Sequence, residues 1–257
     1  MNDSSTDNSL EVASSFQDER IHIYTKENEG VSAARNYGIM HAKYDYIAFL
    51  DADDIWESDY LECQKKLIGT YPDAGIYSTA FYSLEKRKRK LRNVLINEHI
   101  HFLVHDYFKE SVMNGLSICW TSSLCLKKEV IKEIPMFRVG IKRGEDLDLW
   151  LRIALNYDVA YLNLPKVFYR TGLSDSLTSD YSKNGEFPYY EWFNFTSESS
   201  YYRKYVILVV YIHAKNAFIH HDYDTCLAEL WSVKTIAWRF KWAERLLLLV
   251  ISWIKSK

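Results

Sequence analysis

The chain has 257 residues, 48% hydrophobic and 26% charged, a balance that excludes a disordered, collagen-like or polytopic membrane protein. Its net charge of -2 provides no global field of the kind general nucleic-acid binders use. No nucleic-acid partner is expected, and any anion recognition must be local. The cysteines Cys63, Cys119, Cys125 and Cys226 form no CxxC pair. That spacing argues against a zinc site or disulfide framework and for reduced thiols in a cytosolic setting. The polar start, Met1–Asp7, carries no signal-peptide core, and no run reaches the roughly 18–20 apolar residues that span a bilayer.

In chain order, residues 9–16 place Leu10, Ala13 and Phe16 at helical spacing, with Asp7 or Asn8 to cap the start. Arg20–Lys26 alternates apolar and polar residues as a short strand does. The turn Asn28–Gly30 leads into a helix over Val31–Ala42. Tyr46–Leu50 is a continuous apolar run, the pattern of a strand buried on both faces of a parallel sheet. Strand–helix–strand order of this kind predicts βαβ units and an open α/β sheet. A helix is expected over Ser58–Tyr71, a strand over Ala74–Ser83, a strand over Leu124–Leu126 and a helix over Lys128–Ile134. Glu145–Asn156 reads as a helix packing Leu149, Ile153 and Ala154 inward, followed by extended segments at Ala160–Leu162 and Val167–Arg170. From about residue 190 the pattern is helical, over 198–219 and 224–254, which sets a boundary near residue 185.

Two acidic constellations stand where chemistry is expected. Asp51-Ala52-Asp53-Asp54 follows the apolar strand directly, and open parallel sheets bind ligands at the carboxyl ends of their strands. Carboxylates at i and i+2 on a loop can clamp one hard divalent cation, which in turn can bridge a diphosphate. A helix start capped by Asp53 or Asp54 is the alternative of equal weight. Glu145-Asp146-x-Asp148 opens a helix after Arg143-Gly144. There the helix dipole favours the charged carboxylate and is expected to lower its pKa, and in a cleft the group could accept a hydroxyl proton. The alternative is capping, with Asp148 and Arg152 as an i,i+4 ion pair on an exposed face.

Four segments in register carry a more specific likeness. NDSSTDNSLEVA, NEGVSAARNYGI, YIAFLDADDIWESDYLE and GEDLDLWLRIA, in that order, resemble the family 2 inverting glycosyltransferases of the GT-A fold, from the first residue to about Arg170. The resemblance implies an α/β, nucleotide-diphospho-sugar transferase-like fold, with an open, mostly parallel sheet flanked by helices. It also implies a nucleotide-sugar donor, expected to be a UDP-sugar, and Mn2+ or Mg2+ on the diphosphate. By position, Asp51 and Asp53 match the metal-holding DxD motif, Asp53 as the more direct ligand and Asp51 also at the donor. Asp3 matches the acidic residue that contacts the nucleoside, and Arg35 lies in the AARN helix beside the nucleotide. Glu145 is expected to shape the acceptor site, and Asp146 matches the catalytic base. Arg170 stands where it would face either phosphate or the surface. The implied function is sugar transfer with inversion to a saccharide or lipid-linked acceptor, in capsule, O-antigen or similar cell-surface polysaccharide biosynthesis, at the cytoplasmic face of the membrane.

The chain also departs from the family pattern. An opening strand of the type VSVIIPxYN and the helix after it have no counterpart, so the resemblance implies an N-terminally incomplete GT-A domain over 1–185, followed by a helical region over 186–257. Phe137-Arg138 replaces the usual Phe-Asp before the ED motif. A catalytically inactive fragment or a sugar-nucleotide-binding subunit is therefore the alternative function. A nucleotidyltransferase is disfavoured because no Gly-rich basic loop is present. The run Lys86–Arg92 reads as a solvated hairpin in preference to a contact for anionic lipid or a phosphorylated acceptor. Trp238–Lys257, with three Trp among basic residues, suits equally a peripheral membrane helix or a helix packed on the domain or a partner chain. Trp56 and Trp120 lie close enough in sequence to the site elements to flank a sugar.

Overall fold

The computed structural model describes residues 1–85, 88–115, 117–141, 143–172, 189–192 and 195–232. In chain order the elements are α1 (Ser9–Ser14), α2 (Val31–His41), β1 (Tyr46–Ala48), β2 (Ile55–Trp56), α3 (Tyr60–Thr70), β3 (Ile76–Glu85), β4 (Lys88–Arg92) and β5 (His101–Val104). They continue with α4 (Tyr107–Asn114), β6 (Leu124–Lys127), α5 (Val130–Glu133), α6 (Glu145–Ala154), β7 (Val159–Thr171), α7 (Tyr189–Trp192), α8 (Tyr202–Ile219) and α9 (Tyr223–Ser232). Asp7 starts α1 by accepting the Ser9 N–H at 3.0 Å, one of the two caps its sequence offers.

The two long β-forming runs make the spine of one sheet. β3 and β7 pair in parallel from Ile76↔Val159 to Glu85↔Thr171, with irregular register between Thr79 and Tyr82. The sheet order is β1-β6-β3-β7-β2, with β4 added to β3 and β5 to β7. The α/β class with flanking helices is as expected. Pairing among the described strands, however, is mostly antiparallel, with β3·β7 as the parallel pair. β1 illustrates why. It pairs antiparallel with β6 and fully buries only Ile47, while Tyr46 and Ala48 are half-buried on the α3 side. A continuous apolar run reports burial on two faces but carries no information about strand direction. The two extended segments expected at 160–162 and 167–170 merge into the single strand β7. Arg20–Lys26 forms no strand. It makes one isolated bridge, Asn2↔Thr25, held by two backbone hydrogen bonds, because no further partner strand lies beside it among the described residues.

The core sits between the sheet and α4, α6 and α8. Leu149, Trp150, Leu151 and Ile153 of α6 meet Tyr107 and Phe108 of α4 and Tyr205, Val206 and Val209 of α8 in one apolar cluster. The Tyr107 and Tyr205 hydroxyls are 3.1 Å apart within it, so neither ring buries an unpaired polar tip. The first described part of the 186–257 region thus shares its core with the sheet. The boundary near 185 and the Trp238–Lys257 segment lie outside the described residues. No helix among the described residues is long and apolar enough to cross a membrane. All four cysteines are free thiols.

The Asp148–Arg152 pair forms as expected but not on an exposed face: Asp148 is 0% exposed and Arg152 7%. The pair tolerates burial because its hydrogen-bonding capacity is used elsewhere as well. The Trp192 indole N–H donates to Asp148 Oδ1 at 2.9 Å, and Arg152 donates to the Met136 carbonyl at 3.0 Å and to that of Pro135.

Candidate active site

The acidic loop after β1 is shaped by the buried polar turn Thr121–Ser123. Asp51 donates its N–H to Ser122 Oγ at 3.0 Å, and the Trp56 indole N–H donates to the Ser122 carbonyl at 2.7 Å. Asp54 N–H closes the loop on the Asp51 carbonyl at 3.0 Å. Neither Asp53 nor Asp54 caps a helix, since α3 begins at Tyr60 behind Asp59. Arg170 neither reaches out toward an anion nor lies free on the surface. Its guanidinium donates to the Asp53 carbonyl and its backbone N–H to Asp54 Oδ1 at 3.1 Å, so it clamps the acidic loop onto β7. Burial pushes the Asp54 carboxyl up to about 6, against the hydrogen bonds from Ser122 and the Arg170 backbone. Asp54 is therefore part of the loop's interior, whereas Asp51 and Asp53 are half-buried.

Arg35 joins this loop to the second constellation. From the middle of α2, one guanidinium nitrogen meets Asp51 Oδ1 at 2.8 Å and the other meets Glu145 Oε1 at 2.8 Å. The guanidinium carbon lies 5.3 Å from the centre of the Phe137 ring, a cation–π contact that fixes the fork. Asn36, next in sequence, exchanges hydrogen bonds with the Phe137 backbone at 2.7 and 3.0 Å. Two neighbouring residues of one helix thus hold both the chain before α6 and its first residue.

α6 starts at Gly144, whose φ of 72° suits a residue without Cβ, and places Glu145 and Asp146 in its first turn, beside Arg35 and Thr121. Asp146 accepts the Thr121 hydroxyl at 3.1 Å and the Leu147 N–H at 2.7 Å. Its carboxyl is raised above the ordinary value by burial, with Arg35 and these hydrogen bonds opposing. Burial likewise pushes Glu145 up to about 7, reinforced by the Asp146 charge and opposed by Arg35. The helix dipole was expected to lower these values. Desolvation outweighs it because both carboxyls are taken out of water, whereas the dipole effect is worth about 1 kcal/mol or less at a helix end.

These shifts carry a pH dependence. A carboxyl raised in the folded state binds its proton more tightly there than when unfolded. Stability therefore falls as pH rises from the unfolded value of 4.5 to the folded value near 7. Replacing Glu145 with Gln removes that proton linkage. The loss of stability between pH 5 and pH 8 is expected to shrink by roughly 1–3 kcal/mol in Glu145→Gln, read from urea denaturation at both pH values. An equal loss in parent and variant would mean that Glu145 does not titrate in this range.

Asp3 lies apart from this cluster. It accepts the Lys26 ammonium at 3.0 Å and the backbone N–H groups of Glu29 and Gly30 at 3.2 and 2.9 Å. Burial opposes its ionisation, but these donors prevail and hold it below the usual carboxylate range. It is linked to the other acids through α2, whose N-terminal turn it fastens. Of the expected site residues, the structure therefore brings together Arg35, Asp51, Glu145 and Asp146, with Asp53 on the same loop. Thr121, Ser122 and Asn36 were not expected. The signal for the first two was a small polar triplet, Thr121–Ser123, set between apolar neighbours, and for Asn36 its place at the end of the AARN segment.

Comparison with known proteins gives this arrangement a context. A family model described as Glycosyl transferase family 2 matches residues 1–134, a span that holds Asp3, Arg35, Asp51 and Asp53 but ends before Glu145. The chain is 33% identical over 158 residues to an uncharacterized glycosyltransferase of Rickettsia felis, covering 60% of this chain and 24% of that protein. It is 29% identical over 164 residues to a Bacillus subtilis protein named for teichuronic acid biosynthesis, the glycosyltransferase TuaG, covering 63% of this chain and 61% of the relative. The chain thus spans from 24% to 61% of the length of these relatives. Among solved structures, S. aureus TarS 1-349 in complex with UDP-GlcNAc superposes with a TM-score of 0.66 at 15% identity, covering 89% of this chain and 68% of TarS 1-349. At that identity the likeness is one of fold.

Proposed function

The chain belongs to glycosyl transferase family 2, and on that premise we propose that it transfers a sugar from a nucleotide-diphosphate donor, a UDP-sugar, to a saccharide or lipid-linked acceptor with inversion. The transfer would serve cell-surface polysaccharide biosynthesis, at the cytoplasmic face of the membrane. The observation that supports this reading is the Arg35 bridge, which joins the Asp51 loop to the first turn of α6 and so brings the two acidic constellations together.

In the proposed mechanism Asp146 accepts the proton of the acceptor hydroxyl as that oxygen attacks the anomeric carbon. The bond to the diphosphate breaks on the opposite face, in a single displacement that inverts the anomeric centre. Thr121 and the Leu147 N–H orient the Asp146 carboxylate, and its raised pKa strengthens it as a base at neutral pH. The Arg35 charge opposes that rise. Asp51 and Asp53 present only oxygen donors, and no group of three or more His, Cys, Asp or Glu among the described residues makes a cage. One or two carboxylates completed by substrate phosphates is the donor set Mg2+ or Mn2+ takes, so the residues fit such an ion. When bound, it would neutralise charge on the departing diphosphate.

The test is a screen of nucleotide sugars by calorimetry and transfer assay, with and without Mn2+. Binding of one donor that strengthens with Mn2+, followed by transfer, is expected. Donor binding without transfer to any acceptor would favour a sugar-nucleotide-binding subunit instead. Asp53→Ala is expected to weaken Mn2+-dependent donor binding by about tenfold or more, since a coordinating carboxylate is lost. An unchanged response to Mn2+ would remove Asp53 as a ligand.

A further inference from the structure

The basic strand β4 has no part in the mechanism above, yet it borders a sizeable cleft. All five of its residues are exposed. Cross-strand partners share a face of a sheet, and β4 pairs Lys88 with Glu85, Lys90 with Ser83 and Arg92 with Phe81. Lys88, Lys90 and Arg92 therefore lie on the face that carries Phe81. Arg89 lies on the other, its guanidinium 4.8 Å from the centre of the Phe168 ring.

The Phe81 face forms a cleft of about 1020 Å³. Its floor is aromatic: Trp120 lies 4.4 Å from Tyr169 and 5.6 Å from Phe81, centre to centre. Its wall is the row Lys88, Lys90 and Arg92, spaced roughly 7 Å apart along an extended strand. Among the described residues none of the three makes an ion pair, and Glu85 is the one carboxylate in the lining. Arg92 donates to Ser83 Oγ at 3.3 Å, which holds it against the cleft. Three like charges in a row, with the single carboxylate of Glu85 across from one end, repel one another, and a polyanion laid along them relieves that repulsion. Trp120 in this floor is also the residue before Thr121, which donates to the proposed base Asp146.

We propose that this cleft holds the acceptor, and that the acceptor is an anionic saccharide chain, bearing carboxylate or phosphate groups that pair with Lys88, Lys90 and Arg92 while its sugar rings lie on Trp120 and Tyr169. The inference rests on the sugar-transfer reading and adds the acceptor's chemical class. Long polar-tipped aromatics suit a ligand with one apolar face and wet edges, which is the nature of a pyranose ring. The bare charge row sets the sign of the partner.

The experiment titrates the full chain with a glucuronate octasaccharide, with its carboxyl-reduced neutral counterpart and with a phosphodiester-linked glycerol oligomer, following tryptophan fluorescence. Vesicles of anionic phospholipid form a separate arm. At least one anionic oligomer is expected to bind roughly tenfold tighter than the neutral one, with an affinity that falls as salt rises. The two oligomers distinguish carboxylate from phosphate. The combined variant Lys88→Ala, Lys90→Ala, Arg92→Ala is expected to lose about tenfold in that affinity. Lys65→Gln, exposed on α3 and outside the cleft's lining, is expected to stay within about twofold. Mn2+-dependent donor binding measured on each variant reports whether it is folded and tests the donor-side reading by itself. Equal binding of the neutral octasaccharide, no binding of either anionic oligomer, binding by vesicles alone, or a combined variant that binds as the parent does would each overturn the proposal.

Discussion

Asp146→Asn is expected to lower the transfer rate about 10³-fold while donor affinity stays within about twofold of the parent. The amide has the shape of the carboxyl, and its oxygen can still accept the Leu147 N–H, 2.7 Å away in the parent. The Thr121 hydroxyl, at 3.1 Å, can rotate from donor to acceptor to meet the new NH2 group. What the amide cannot do is take a proton. Burial raises the Asp146 pKa, so the substitution also removes a desolvated charge, and the variant is expected to be no less stable than the parent at pH 8. The measurement is single-turnover transfer with the donor found in the screen, beside calorimetry and thermal melting of the same preparation. Transfer within tenfold of the parent would end the assignment of Asp146 as the base. Lost transfer with lost donor binding would point instead to a role in holding the nucleotide sugar.

Arg35 carries the second large effect, on stability and binding together. Its side chain is 13% exposed and bridges Glu145, at 12%, to the more open Asp51. Arg35→Met keeps the aliphatic volume over Phe137 but leaves Asp51, Glu145 and Asp146 facing one another without the cation. Removing one partner of a buried ion pair costs about 3–5 kcal/mol, because the other is left charged and unsolvated. The midpoint of urea denaturation at pH 8 should fall by a corresponding amount, and less at pH 5, where Glu145 is protonated. Arg35→Lys should recover only part of the loss, since a single ammonium cannot hold two carboxylates in the geometry of a fork. Combining Arg35→Met with Glu145→Gln is expected to restore some stability, the sign of a coupled pair. Additive effects in the combined variant would mean that Arg35 and Glu145 do not stabilise one another.

The same residues show how far the amino-acid order could be read. Helices α2 and α6 were legible because apolar spacing reports the buried side of a helix wherever it packs, and α8 through an aromatic-rich composition with no strand pattern. The acids of the two loops were legible through their order and spacing along the chain, which is how the family likeness enters. Asp148 was misplaced on a surface, because an i,i+4 spacing looks alike on either side of a helix. It is buried because Trp192 and the carbonyls of residues 135 and 136 happen to meet the pair. The basic run of β4 was legible as a hairpin, but not as three cations on one face and a fourth stacked on Phe168.

The order of residues by itself determined that this is an α/β chain with an acidic loop after an apolar strand and an acid pair opening a later helix. Those are local properties, encoded in side chains a few positions apart. Strand direction, the closure of Arg35 on acids 16 and 110 residues away, and the upward pKa shifts of Glu145 and Asp146 were decided by tertiary structure alone. The physical reason is that pairing partners and desolvation depend on what packs from elsewhere in the chain. A carboxyl next to a helix terminus is stabilised when water surrounds it and penalised when the fold removes that water.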